Sequence, residues 1–213
     1  MQRSIRLMFA FVVLGAGSAS CTHQISLHPT DTSWHYKVDG EKVPGSALIA
    51  VVDDETAGAE YAFRAWSTGV AHKWVADYGV MLEQVADVEL PQVVEAYKRT
   101  NEYAEPANGE RRVTLVLTVP KYVFEDYHAK LTLRAEAFGP RRTPLFDESY
   151  EVEGMSQTGK MIGAGAFGQK SAVRQSSLDA YKLAFEKLRA DLDSALRAQA
   201  SAGTTRSAPG GGP

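Results

Sequence analysis

"YHAKLTLRAEAF", residues 127–138, alternates Ala129, Leu131, Leu133, Ala135 and Ala137 with Lys130, Arg134 and Glu136. Successive side chains of a strand point to opposite faces, so a period of two gives one apolar row and one charged row. A strand of that kind belongs to a sheet with one buried and one wet face, the habit of antiparallel sheets. Upstream, "RRVTLVLTV" (111–119) sets Val113, Leu115, Leu117 and Val119 on one side. Downstream, "TPLFDESYEVE" (143–153) follows the turn-forming "GPRRT". The three segments predict a meander.

Past a glycine-rich loop comes "SAVRQSSLDAYKLAFEKLRADLDSALRAQ" (171–199). Tyr181, Phe185, Leu188, Leu192 and Leu196 recur at steps of three and four, the period of a helix with one apolar stripe, and Lys182 and Glu186 fall outside it. Residues 199–213 are small and polar and read as a disordered tail. Toward the N-terminus, "WHYKV" (34–38), "SALIAVV" (46–52) and "EYAFRAW" (60–66) are short β-rich runs between turn residues. From Ser67 the period lengthens: Val70, Trp74, Tyr78, Met81, Leu82 and Val85 share a helical face. Ser67 or Thr68 can cap its start. Gly79 inside it costs ~1 kcal/mol against alanine. Pro91 ends or kinks it, with Val94 and Tyr97 continuing the face beyond. "RTNEYAEPANGE" (99–110) reads as a loop. The predicted order is β-β-β-α-β-β-β-α, an α+β fold with an antiparallel sheet and two main helices packed on one face. Residues 34–198 make a single domain.

The chain has 213 residues, 44% of them hydrophobic and 23% charged, with a formal net charge of −3. That composition fits a globular protein and excludes wholesale disorder. With no basic excess, nothing points to nucleic acid. Cys21 is the only cysteine, so no intramolecular disulfide and no CxxC metal site can form. It ends a distinctive segment. "MQRSIR" carries two arginines, "LMFAFVVLGAG" is a short apolar core, and "SAS" supplies small residues before Cys21. Those are the three parts of a secretory signal peptide, here residues 1–20. The apolar run is too short for a membrane span, which takes ~20 residues. Cleavage before Cys21 takes Arg3 and Arg6 from the 23 basic residues against 26 acidic ones, leaving a net charge of −5. Residues 21–33, polar and holding Pro29, read as a leash.

Several motifs look like chemistry. "GAGAFG" (163–168) matches G-x-G-x-x-G and precedes a helix. The fingerprint also needs a buried strand before it and an acidic residue ending the next strand. The preceding "EGMSQTGKMI" is polar, and Asp191 and Asp193 sit inside the helix, so no dinucleotide cofactor is expected. His23, His28, His35, His72 and His128 show no metal-ligand spacing. "DDE" (53–55) reads as a solvated turn rather than a cation or acid–base site. Arg111–Arg112 and Arg141–Arg142 flank strand ends, where they can meet phosphate headgroups or simply stay solvated. No catalytic, cofactor or metal residue is assigned, and the chain is expected not to be an enzyme. A cleft joining His72 or His128 to a buried carboxylate and a serine would change that reading.

The segment "SASC" resembles the lipobox of bacterial lipoproteins, although Ser18 stands where that family usually has leucine. The resemblance implies that the Cys21 thiol carries diacylglycerol, and Thr22, in place of a retention-signalling aspartate, implies the outer membrane, facing the periplasm. With "GVAHKWVADYGVMLEQV" (69–85), the strands at 111–119 and 127–138, and "AYKLAFEKLRADLDSAL" (180–196), the chain resembles the small outer-membrane lipoproteins that serve envelope transport and assembly as auxiliaries. That implies a tethered, non-enzymatic domain, anchored in the membrane through Cys21 and bound to an envelope protein partner. The alternative is a lipid- or small-ligand-binding lipoprotein, with Trp66, Trp74 and Phe167 lining a pocket between helix and sheet.

Overall fold

The computed structural model describes residues 21–26, 41–64, 72–106, 111–158 and 165–204. It is a mixed α/β structure with two sheets and a long C-terminal helix. In chain order the elements are β1 (Cys21–Ile25), β2 (Val43–Val51), α1 (Asp54–Ala57), β3 (Tyr61–Phe63), β4 (His72–Ala76), α2 (Tyr78–Glu89), β5 (Val94–Thr100), β6 (Arg112–Glu125), β7 (His128–Phe138), β8 (Pro144–Glu153) and α3 (Gly165–Thr204).

The larger sheet has the order β5-β2-β6-β7-β8. Its second half is the expected antiparallel meander, with Leu131, Leu133, Ala135 and Ala137 buried on one face. Strand β6 runs past the expected end at Val119 because Pro120, which has no N–H to give a ladder, lies in a register shift between Thr118 and Lys121. Pairing then resumes to Glu125↔His128 across a two-residue turn, Asp126 and Tyr127, both with φ above zero (51° and 65°). Helix α3 lays Tyr181, Phe185, Leu188, Leu192 and Leu196, all fully buried, over β7 and β8 and meets α2.

The first half departs from the expected order, and the fully antiparallel sheet is corrected. Strand β2 pairs in parallel with both β5 and β6, its two neighbours. The smaller sheet, β1-β4-β3, pairs β1 with β4 in parallel and β3 with β4 in antiparallel. Residues 72–76, expected in the helix, form β4, and α2 starts only at Tyr78. Val70, Trp74 and Tyr78 are spaced like a helical face, but Trp74 is a strand residue 2% exposed. Pro91 ends α2 as expected, in a 3₁₀ turn at Leu90–Gln92. Val94 and Tyr97 then belong to β5 rather than to a continued helical face. Residues 21–25 of the expected leash form β1, and α3 carries 199–204 of the expected tail. The expected strand at 34–38 and the signal peptide at 1–20 lie outside the described residues.

Aromatic contacts lock the two sheets together. Tyr61 meets Tyr122 edge-on with ring centroids 5.7 Å apart, and Phe63 lies 5.7 Å from Phe124. Tyr78 stacks on Tyr122 at 4.9 Å. The Tyr122 hydroxyl has the Ser177 hydroxyl at 2.6 Å, which satisfies it inside the core.

Candidate functional site

With α2 and α3 on one face of the larger sheet, the other face carries its partly exposed side chains. The register puts those side chains in rows across three strands. Ala96, Ala47 and Arg112 form one row, and Lys98, Ile49 and Thr114 form the next. Two alanines side by side leave a hollow, which the segment after β5 closes on one side. The Thr114 hydroxyl donates to the Ala104 carbonyl at 2.6 Å, drawing residues 101–106 over the sheet. The result is a groove of about 150 Å³ with Ala47, Ile49, Ala96, Lys98, Pro106 and Arg112 in its lining.

The described cations fall into two groups. Arg99 faces Glu83 and Asp87, Arg134 faces Glu136 and Asp147, Arg189 faces Glu89, and Arg197 faces Asp193. Lys98, Arg112, Arg141 and Arg142 have no such ion pair among the described residues. Arg111 donates to the Pro44 carbonyl. Thr114 pairs with Phe138, so the turn after β7 lies at the Arg112 end of the sheet. There the Arg142 guanidinium lies 4.3 Å above the Tyr103 ring, which meets Phe138 edge-on at 6.1 Å. Arg141 and Arg142 both take left-handed φ values, 59° and 55°. Non-glycine residues pay about 1–2 kcal/mol each for that conformation. Hydrogen bonds from Gly139 N to Thr143 O (2.8 Å) and from Thr143 N to Pro140 O (3.3 Å) close the turn around them.

On the covered side, β5 is tied to α2. The Tyr97 hydroxyl donates to Asp87 at 2.8 Å, and burial together with that carboxylate holds its proton on far above the ordinary tyrosine range. Arg99 bridges Asp87 and Glu83, so the strand carrying Ala96 and Lys98 has a rigid backing.

The residues singled out from the sequence are dispersed. Cys21 is the first residue of β1, in register with His72. Trp74 is buried in β4, Trp66 lies outside the described residues, and Phe167 falls in the first turns of α3, its side chain outside the described ones. The expected tryptophan pocket, which rests on Trp66 and Phe167, thus lies outside the described residues. Asp53 caps α1, accepting from Thr56 N at 2.7 Å, so "DDE" is the exposed start of a short helix rather than the expected turn. Of "GAGAFG", residues 165–168 open α3 after an antiparallel strand, and 163–164 lie outside the description. His72 lies against His23, ring nitrogens 2.8 Å apart, and His23 stacks on Trp74 at 4.5 Å. His128 has Glu153 at 3.2 Å and the Gly154 carbonyl at 2.9 Å. Ser176 is nearby, but it is fully buried with its hydroxyl receiving Ala129 N–H, and the Glu153 side chain is 51% exposed. His28 and His35 lie outside the described residues. No group of three metal-ligating side chains occurs among the described residues.

Sequence reading found the arginine pairs but missed Lys98, Tyr103 and the alanine hollow. The available signal was "SALIAVV": a run apolar at every position but its first reads as a parallel strand with neighbours on both sides.

No protein-family model and no curated protein matches the chain. One solved structure, described only as an uncharacterized protein, is similar with a TM-score of 0.41 and 12% identity, over 79% of this chain and 98% of that one. At that score it carries neither a fold assignment nor a role to this chain.

Proposed function

We propose that the protein is a lipid-tethered, non-enzymatic accessory of the cell envelope, anchored in the outer membrane through Cys21, facing the periplasm and docking another envelope component. The observation that carries the docking role is the outer face of the five-stranded sheet, where a groove and cations with no ion pair among the described residues share one surface in a chain of net negative charge. The tether is supported by the apolar run ending at Cys21. Two or more acyl chains make a stable anchor, where a single one is marginal. No helix among the described residues is long and apolar enough to cross a membrane.

Cys21→Ser is expected to move the protein from the membrane to the soluble fraction, and affinity purification from solubilised membranes is expected to recover a protein partner. Wild-type protein found free in the periplasm would sink the tether, and repeated recovery of no partner would sink the docking role. The rival, a lipid- or small-ligand-binding lipoprotein, has the same groove in its favour. At about 150 Å³ it is smaller than the ~300–1,000 Å³ that such ligands occupy. A lipid co-purifying in native mass spectrometry would favour the rival.

A further inference from the structure

We propose that the groove over Ala47 and Ala96 seats one apolar side chain of an acidic peptide segment, with the segment's carboxylates on Arg112 and Lys98. The inference deepens the docking role proposed above and rests on it. Size selects the anchor. The groove holds about 150 Å³, room for one aliphatic side chain and too little for an acyl chain. Protein interfaces concentrate their energy in such a buried anchor ringed by polar contacts.

Charge selects the neighbours of the anchor. Arg112 ends the alanine row, and Lys98 sits on β5 two residues beyond Ala96, so the two cations flank the hollow on different strands. Neither has an ion pair among the described residues, in contrast to Arg99, Arg134, Arg189 and Arg197. A basic segment would meet repulsion from both cations, and a neutral one would leave them partly desolvated. Arg142, held over Tyr103 at the same end of the sheet, extends the basic surface. Its planar guanidinium, like that of Arg112, suits bidentate binding of a carboxylate.

The test uses full-length protein in detergent micelles with methyl-labelled alanine and isoleucine. The probe is an acetylated, amidated pentapeptide with leucine between two pairs of aspartates. Comparison peptides carry lysine for aspartate, or alanine for leucine, and phosphatidylglycerol vesicles stand for an anionic membrane. The leucine–aspartate peptide is expected to shift the methyl signals of Ala47, Ile49 and Ala96 saturably, with weak affinity because a short peptide loses much freedom on binding. Arg112→Glu with Lys98→Glu is expected to weaken it roughly tenfold or more. Ala96→Leu, which fills the hollow, is expected to abolish the preference for leucine over alanine. The milder Arg112→Gln with Lys98→Gln serves if the charge reversal fails to fold.

No methyl shift, or equal shifts with the lysine peptide, overturns the proposal. Vesicles moving these methyls more than the peptide overturn it in favour of a membrane surface. If partner recovery from membranes is unchanged in Arg112→Glu with Lys98→Glu, the groove assignment fails and the docking role stands. If no partner is recovered with the wild type, the docking role itself fails.

Discussion

A Cβ on Gly79 would lie 2.0 Å from the Thr56 carbonyl oxygen and 2.5 Å from that of Ala57. The first turn of α2 thus rests on the backbone of α1, and only glycine permits the approach. Helix propensity alone favours alanine here by ~1 kcal/mol. Forcing a methyl group into occupied space costs about 1–3 kcal/mol and here meets backbone, which cannot swing aside. With backbone oxygen only 2.0 Å away the upper end of that cost applies, so Gly79→Ala is expected to destabilise by about 2 kcal/mol net, read as a lower midpoint in urea. An unchanged or raised midpoint would contradict this contact. Glu89 makes the second case. It is 1% exposed, and its carboxylate lies 2.8 Å from Arg189, although the pair is not aligned as a hydrogen bond. Burial raises its pKa above the ordinary glutamate value, while Arg189 and Lys182 oppose the rise. The folded chain then binds this proton more tightly than the unfolded chain does. The resulting stability is present at acid pH and is lost as pH climbs from the unfolded value, about 4.3, through the raised folded one. Glu89→Gln should flatten that slope in denaturation curves taken across pH. Glu89→Leu alone strands a buried guanidinium and should cost about 3–5 kcal/mol, whereas adding Arg189→Met should return most of it.

The β6–β7 hairpin owes its register to two turn residues that are poorly suited to their backbone. Type I′ turns want φ above zero at both positions, and Asn-Gly is the favoured pair. Here Asp126 and Tyr127 hold φ of 51° and 65° instead. Asp126→Asn with Tyr127→Gly is expected to stabilise the protein by about 1 kcal/mol, since a left-handed side chain costs that much or more. A lowered thermal midpoint would mean that the Tyr127 side chain, 38% exposed, contributes more packing than its exposure indicates. The same hairpin marks a limit of legibility. Thr118 and Lys121 bracket a slip at Pro120, so the alternation that reads clearly up to Val119 loses phase before it resumes at Tyr122. Helix α3 lost nothing of this kind, because its stripe from Tyr181 to Leu196 keeps one phase throughout.

At the scale of the whole molecule, α3 acts as a ruler. Near its start Arg174 donates to Ser26 O at 3.0 Å, and near its end Arg197 reaches Glu41 O at 3.5 Å. The 23 helical steps between those contacts span ~35 Å. Ser26 follows β1, which begins at Cys21, whereas the Arg197 end lies with Gly139 and the arginine turn, where a Cβ on Gly139 would meet Gln199 at 2.9 Å. With Cys21 both acylated, as proposed, and part of a strand, the domain has no slack at the membrane. A spin label on Arg141→Cys is then expected to show a narrow range of distances from the bilayer, with ~35 Å as the scale. Ten glycine and serine residues inserted between Cys21 and Thr22 should broaden it while the protein stays membrane-bound. A broad range already present in the wild type would remove the rigid tether.

What the sequence determined alone was whatever repeats locally. β7 and α3 show their buried faces because side-chain direction follows a fixed period within each element, and β6 shows its own as far as Pro120. Tertiary structure decided the rest. β2 takes its partners from β5 and β6, some 50 or more residues away, with Val43 opposite Val94 and Ala47 opposite Arg112. Residues 72–76 became a strand because β1 and β3 supply hydrogen bonds on both sides, which outweighs a helical spacing of Val70, Trp74 and Tyr78. The groove belongs to the same class. Ala47 and Ala96 are unremarkable in their own segments and form a hollow only in register, with the cation from a third strand beside them.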